Sequence, residues 1–458
     1  MAGWTSLQNL VKEEIKQKKE EGCNLEGYTE RFQEIGEDEH VIMDFYKELS
    51  SLKIREDFGF YEPTELEDIR INRNSGPRQL NIEASEELLK DKFYGAWLGR
   101  SIGCALGKPI ESHSFMAGSH GRPGWKNVEL WFKGANAWPI SNYVPTYSSA
   151  KKEYGIDINH DCHKSLLENL KFMESDDDIR YTVVGLMILE ERGLDWDSWD
   201  LGKFWHAHLP YRQLCTAETQ AYLNFATVTN HYEVKPENWK SQIEWVRNNL
   251  NPYREWIGAQ IRVDAYAYAA AGNPELAAEL AHRDAAFSHV KNGVYGAMFF
   301  SAVIAAAFAE GDLEKLVEIG LSEIPNSSRF YKDIRKAVEI GKSTEDQLEL
   351  VESVYEAFKH YDPVHTNNNA ALCVASIIFA KGDFEVALTT AVLGWDTDCN
   401  GATVGSIMGA ILGAKNIPKK WSIPLNNTLY SEISGFDPIA ISECANRSYN
   451  VYKNLKSK

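Results

Sequence analysis

The sequence predicts an all-α globule. Three observations carry that expectation. From Ser85 onward, long Ala- and Gly-rich runs with helical periodicity follow one another. Glycines close several of these runs. Alternating strand-like stretches are few and short. With 458 residues the chain is long enough to bury a large core.

The elements follow in order. Residues 1–85 are charged and helix-rich, with LQNLVKEEIKQKKEEG and HVIMDFYKELSSLK placing apolar residues three and four apart. They form a predicted N-terminal helical extension, and RINRNSGPRQLN reads as a linker behind it. Residues 86–458 form the predicted compact multi-helix domain. Its helical runs are EELLKDKFYGAWLGRSIGCALG, RYTVVGLMILEERG, NPELAAELAHRDAAFSHV, NGVYGAMFFSAVIAAAFAEG, STEDQLELVESVYEAFKHY, NNAALCVASIIFAKG and NGATVGSIMGAILGA. Gly193, Gly311 and Gly382 are the helix stops after ILEER, AFAE and FAK. No repeat with a period of about 20–50 residues is present. Residues 118–161 read as a long loop, and long ordered loops often carry function.

Charge and cysteine usage exclude several classes. The formal net charge is -18. It disfavours nucleic acid and anionic membranes as partners, and no basic patch offsets it. Seven cysteines lie scattered without CxxC spacing, against a disulfide framework or a zinc ribbon. MAGWTSLQNLVKEEIKQ is amphipathic and charged rather than a secretory leader. The longest apolar stretches fall short of the roughly 18–20 residues a membrane span needs. A cytoplasmic location follows as the expectation, with the oligomeric state left open.

Two acidic helix starts are the candidates for chemistry. In ESDDDIRYT, Asp176, Asp177 and Asp178 are consecutive and open a helix. One acid suffices to cap a helix and complement its dipole. Three repel one another, and a hard divalent cation resolves the repulsion. In GWDTDCNGATVGSIMGAILGA, Asp396 and Asp398 precede a second helix, where a D-x-D capping turn is the plainer alternative. If the two helix ends face each other, about five carboxylates converge, enough for a two-metal site. Glycines recur at every fourth position in two runs, Gly95 to Gly107 and Gly401 to Gly413. Each helical glycine costs roughly 1 kcal/mol relative to alanine. Close packing of two helix backbones is the expected return. It would hold still what lies at the helix ends, Asp396 and Asp398 on one and Glu111 on the other.

With YGAWLGRSIGCALGKPIE, SDDDIRYT and GWDTDCNGATVGSIMGAILGA in that order, the chain resembles the ADP-ribosylglycohydrolase family. This family includes the dinitrogenase reductase-activating glycohydrolase and the ADP-ribosyl-arginine and ADP-ribosyl-serine hydrolases. The resemblance covers roughly residues 88–415 and leaves residues 1–85 outside. It implies an all-α body, two divalent cations (Mg²⁺ or Mn²⁺) and a substrate that contains ADP-ribose. Asp396 and Asp398 then match metal ligands, and Glu111 the glutamate at the reacting ribose. Ser175-Asp176-Asp177 matches the family's Thr-Asp-Asp directly. Sliding by one residue makes Asp176-Asp177-Asp178 the match, the preferred register. Cys399 stands where the family has a ligating Thr, and a thiol is a poor partner for Mg²⁺. Cys104 stands where the family has an Asp. Both changes resemble a bacterial subfamily with the WDTDCNGATVGS signature.

The substrate side is read from polar residues near helix starts. Arg262 is a candidate for a phosphate contact, with Asp264 orienting it; a plain ion pair is the alternative. His289 and Asn292, and His365, Asn368 and Asn369, are candidates for ligand contacts or for caps. Trp138 and Tyr143 are candidates for stacking on adenine, against ordinary core packing. The implied reaction is metal-assisted hydrolysis of a glycosidic bond to ribose. Asp177 or Asp398 would complete the activation of water, and Glu111 would position the ribose or assist proton transfer. Two other readings stay open. One is hydrolysis of a small riboside or nucleotide metabolite. The other is a non-catalytic binder, such as an immunity protein that blocks a toxin through residues 1–85.

Overall fold

The computed structural model describes residues 5–230 and 234–456. The expected all-α class holds. Among the described residues there are twenty-three α-helices and a single two-stranded antiparallel ribbon, which pairs Thr428–Leu429 with Ile439–Ala440. One large apolar core runs through residues 69–452.

The glycine ladders organise the centre of this core. The Glu86–Gly107 helix and the Thr397–Leu412 helix lie side by side and make the most extensive helix pairing of the fold. Their glycines meet in antiparallel register. A β-carbon on Gly95, Gly99 or Gly103 would sit within 3.0 Å of the carbonyl oxygen of Gly409, Gly405 or Gly401 respectively. The ladder ends differently from its sequence pattern. Gly413 is not a fourth helical rung but closes the helix, with φ of +77°. Gly107 meets no glycine; its missing side chain makes room for the backbone of Thr397 and Asp398. The seam therefore runs straight into the Asp396–Asp398 turn.

The stretch read as a long loop contains a real helix, Gly124–Gly134, whose apolar face buries Trp125, Val128, Trp131 and Phe132. Tyr143 is wholly buried and donates its hydroxyl to the Trp421 carbonyl at 2.6 Å. It is a core residue and not a free stacking surface. Trp138 packs against the same core under the Lys133 ammonium.

The N-terminal extension carries a small apolar cluster of its own, built from Leu7, Val11, Ile15, Ile42, Phe45, Tyr46 and Leu49. It is fastened to the body by buried charge. Arg254 bonds Glu14 at 2.6 Å and Glu21 at 3.0 Å, and all three side chains are buried. The predicted linker is pinned as well: Arg73 and Arg78 both bond the buried Glu323. Glu20 sits at the seam, 3.7 Å from His365. Burial, and then the Glu255 charge, push its carboxyl from an ordinary 4.5 to about 8.

Two outcomes follow. Gly99→Ala or Gly405→Ala forces backbone against backbone and should cost about 3 kcal/mol or more in urea unfolding. The native state also keeps a proton on Glu20 that the unfolded chain releases. That contribution is complete below about pH 4.5 and fades as pH rises towards 8. The fall in melting temperature between pH 5 and 8.5 should therefore shrink in Glu20→Gln.

Candidate metal centre and active site

The two acidic helix starts do face each other. Asp176 caps the Asp177–Arg192 helix conventionally, its Oδ1 accepting the Asp178 N–H at 3.0 Å. Asp396 occupies the same position before the Thr397–Leu412 helix but makes no such side-chain bond. The capping account covers Asp176, whereas Asp396 keeps Oδ1 buried without a partner. Trp395, just before it, is held at φ +54°, a conformation that non-glycine residues adopt at a cost of order 1 kcal/mol or more.

Ligating atoms of Cys104, Asp176, Asp178 and Asp398 all lie within 4.8 Å of one another, and so do those of Asp396, Asp398 and Cys399. All six residues are buried. Asp178 Oδ2, Asp396 Oδ1 and Asp398 Oδ1 are buried without a hydrogen-bond partner. An unpaired buried carboxylate oxygen is costly. Three such oxygens, in two groups that share Asp398, fit a hard divalent cation, which prefers oxygen donors. Burial pushes the Cys104 and Cys399 thiols well above their ordinary range, so both sulfurs are neutral and poor donors to such an ion.

The same crowding sets the protonation pattern. Burial and the charges of Asp396, Asp176 and Asp177 hold the Glu111 carboxyl well above the usual range. Burial and neighbouring acids raise Asp178 and Asp398 likewise, each by a large margin. Asp177 is raised to about 7 by burial and by Asp176. Asp176 goes the other way. Its burial is outweighed by the Lys108 ammonium at 2.6 Å, which holds it at about 2.

A cleft of about 350 Å³ opens beside the cluster. Lys108, Asp176 and Asp177 line it towards the acids, and Arg212, Cys215 and Glu432 line it further out. Arg180 also faces it but is committed, donating to the Ser431 and Gln213 carbonyls and to Ser175 Oγ.

The seven polar residues read as substrate contacts are placed elsewhere, and none lines this cleft. The Arg262 guanidinium is buried between Glu218 and Asp284 and over the Trp205 ring, so it is spent on ion pairs. Asp264 pairs with Arg100 at 2.9 Å. His289 packs against Ser288 within the network around Arg262. Asn292 bonds Glu255 and Glu62 under the N-terminal extension. His365 caps its own helix through the Asn367 N–H. Asn369 comes nearest to the site without facing substrate. Its Oδ1 accepts the Asp396 N–H at 3.0 Å and an Asn400 amide proton at 2.9 Å, fixing the acidic turn from behind. Asn368 gives its amide to the Asp362 carbonyl.

Sequence reasoning passed over Arg100 and Lys108. Arg100 is fully buried on the first ladder helix and bonds Asp178 through both its carboxylate and its carbonyl. The available signal was that these are the two cations in the otherwise apolar YGAWLGRSIGCALGK.

An all-α body whose helix ends present buried carboxylate oxygens without partners defines a helical protein with a candidate metal centre. The family model for ADP-ribosylglycohydrolase matches residues 85–452. The chain belongs to the ADP-ribosylglycohydrolase family and is a glycoside hydrolase. Among solved structures it is similar to an ADP-ribosylglycohydrolase-related protein complex, at 18% identity and a TM-score of 0.48, over 80% of this chain and 99% of that one. No curated protein matches it. No helix among the described residues is long and apolar enough to cross a membrane.

An ion that binds only the folded chain raises its melting temperature by mass action. Mn²⁺ should do so for the wild type and not for Asp398→Asn. Without metal, Asp398→Asn should melt no lower than wild type, because it removes a buried, unpaired carboxylate.

Proposed function

We propose that the chain hydrolyses the bond between the ribose of ADP-ribose and an acceptor, with divalent cations, Mg²⁺ or Mn²⁺, as cofactors. The observation that carries this reading is that Asp178, Asp396 and Asp398 each keep a buried oxygen without a partner, in two acid groups that share Asp398. These residues would hold the ion, with Asp176 and Asp177 adjoining. Bound there, a divalent ion supplies Lewis acidity and neutralises the acids around it.

The chain's own groups divide the remaining work. Asp177 is partly exposed and lines the cleft, which suits a carboxylate that takes a proton from the attacking water. Asp398, deeper in the cluster, is fixed by the ladder and adds negative charge near the same water. Glu111, whose carboxyl burial and the neighbouring acids hold well above the usual range, would hold the ribose or donate to the departing group. Attack at the anomeric carbon builds oxocarbenium character, which the surrounding carboxylates stabilise. Arg212 brings a positive charge to the cleft lining, where a diphosphate would lie.

Release of ADP-ribose from arginine- and serine-modified proteins, run beside a panel of free ribosides, tests the reading. Asp177→Asn should lower turnover by about 10²–10⁴-fold with substrate binding retained. EDTA treatment should abolish turnover, and Mn²⁺ should restore it. Undiminished hydrolysis after metal stripping would refute the metal-dependent mechanism. Turnover of ribosides alone would move the substrate to small metabolites.

A further inference from the structure

The acids of the centre are not equivalent. Asp178, Asp396 and Asp398 each keep one buried oxygen without a partner. Asp176 keeps none. Its Oδ1 accepts the Asp178 N–H at 3.0 Å, and its Oδ2 accepts the Lys108 ammonium at 2.6 Å. Lys108 also donates to the Ser175 carbonyl at 2.7 Å, and its side chain is only 12% exposed. Ser175 Oγ, the hydroxyl that could serve an ion in the other register, accepts from Arg180 at 2.8 Å.

A tethered cation therefore already sits on the Asp176 side of the cluster. Of the other donors grouped with Asp176, the Cys104 sulfur is soft and ill suited to a hard ion, Asp178 is bonded to Arg100, and Asp398 is shared with the second acid group. Lys108 opens the turn that directly follows the first ladder helix and precedes Glu111, so the packing of the seam also fixes its backbone. A free ion would have to displace an ammonium that is covalently present and held by two charge-assisted bonds.

We propose that Lys108 permanently fills the cation position beside Asp176, leaving a single divalent ion at the other acid group, on Asp396 and Asp398. This rests on the reading of the cluster as a metal centre. Lys108 is then a positioning residue: it neutralises and orients Asp176 without supplying Lewis acidity. The arrangement differs from a two-ion site in a countable way.

The test is Mn²⁺ binding to the full chain, measured by equilibrium dialysis and by the electron paramagnetic resonance of free Mn²⁺. Wild type should bind one ion. Lys108→Met, close in length and uncharged, should bind a second ion, and Lys108→Arg should remain at one. Adding Asp176→Asn to Lys108→Met should abolish the second ion and keep the first. Circular dichroism would establish that each variant is folded, and Lys108→Arg against wild type stands if Lys108→Met is not. Two ions of similar affinity on wild type, or a single ion on folded Lys108→Met, would overturn the assignment. No Mn²⁺ on wild type or any variant would instead refute the metal centre itself.

Discussion

The contact on which the rest of the structure depends is backbone against backbone. The Glu86–Gly107 and Thr397–Leu412 helices approach so closely that only glycine fits at the rungs between them. Helical glycine is unfavourable alone, so the seam persists only because tertiary contact outweighs propensity. Its effect is concentrated at one end. The last rung, Gly107, faces the backbone of Thr397 and Asp398, and Thr397 Oγ1 donates to the Gly107 carbonyl at 2.9 Å. The chain that continues past Gly107 carries Lys108 and Glu111, so both sides of the site are referenced to one rigid joint.

What the joint holds is a charge imbalance. Asp176, Asp177, Asp178, Asp396, Asp398 and Glu111 crowd together, while Arg100 and Lys108 are the cations bonded directly to them. Arg100 is shared with Asp264 behind the site and so braces Asp178 rather than neutralising the cluster. The remaining acids carry raised pKa values as a direct result. A folded state that pays for such crowding is stabilising a site and not itself. The division between Asp176, held ionised, and Asp177 and Glu111, held nearer to their protonated forms, gives one small volume both proton acceptors and proton donors.

Much of this was legible in the sequence, and the reason differs by residue. The ladders were visible because glycine is costly inside a helix, so its return at a fixed helical spacing points to close backbone contact. Asp396 and Asp398 were visible because a turn between acids opens an apolar helix. Arg262, His289 and Asn292 were misread because a buried ion-pair network and a ligand pocket draw on the same residue types, and only the identity of the partners separates them. Glu218 and Asp284, which claim Arg262, lie 44 and 22 residues from it in the chain. Asn369 failed more narrowly: it serves the site from behind, through the Asp396 N–H. Gly413 continued the spacing by type, yet its positive φ makes it a stop.

The N-terminal extension lies outside the family match but not outside the physics of the site. Glu20 approaches His365, the residue that caps the Thr366–Ala380 helix. One turn along that helix, Asn369 holds the Asp396 N–H. The extension also covers Arg254, and its trailing segment supplies Glu62 to Arg329, which bonds Glu255 as well. Baring these side chains would leave buried charges without partners, which typically costs several kcal/mol for each broken pair. The face of the extension that carries Glu14 and Glu21 is thus already occupied by the body. Its contribution to the acidic turn is carried by an ordinary helix start: whatever fixes His365 also fixes, one turn later, the amide that orients Asp396.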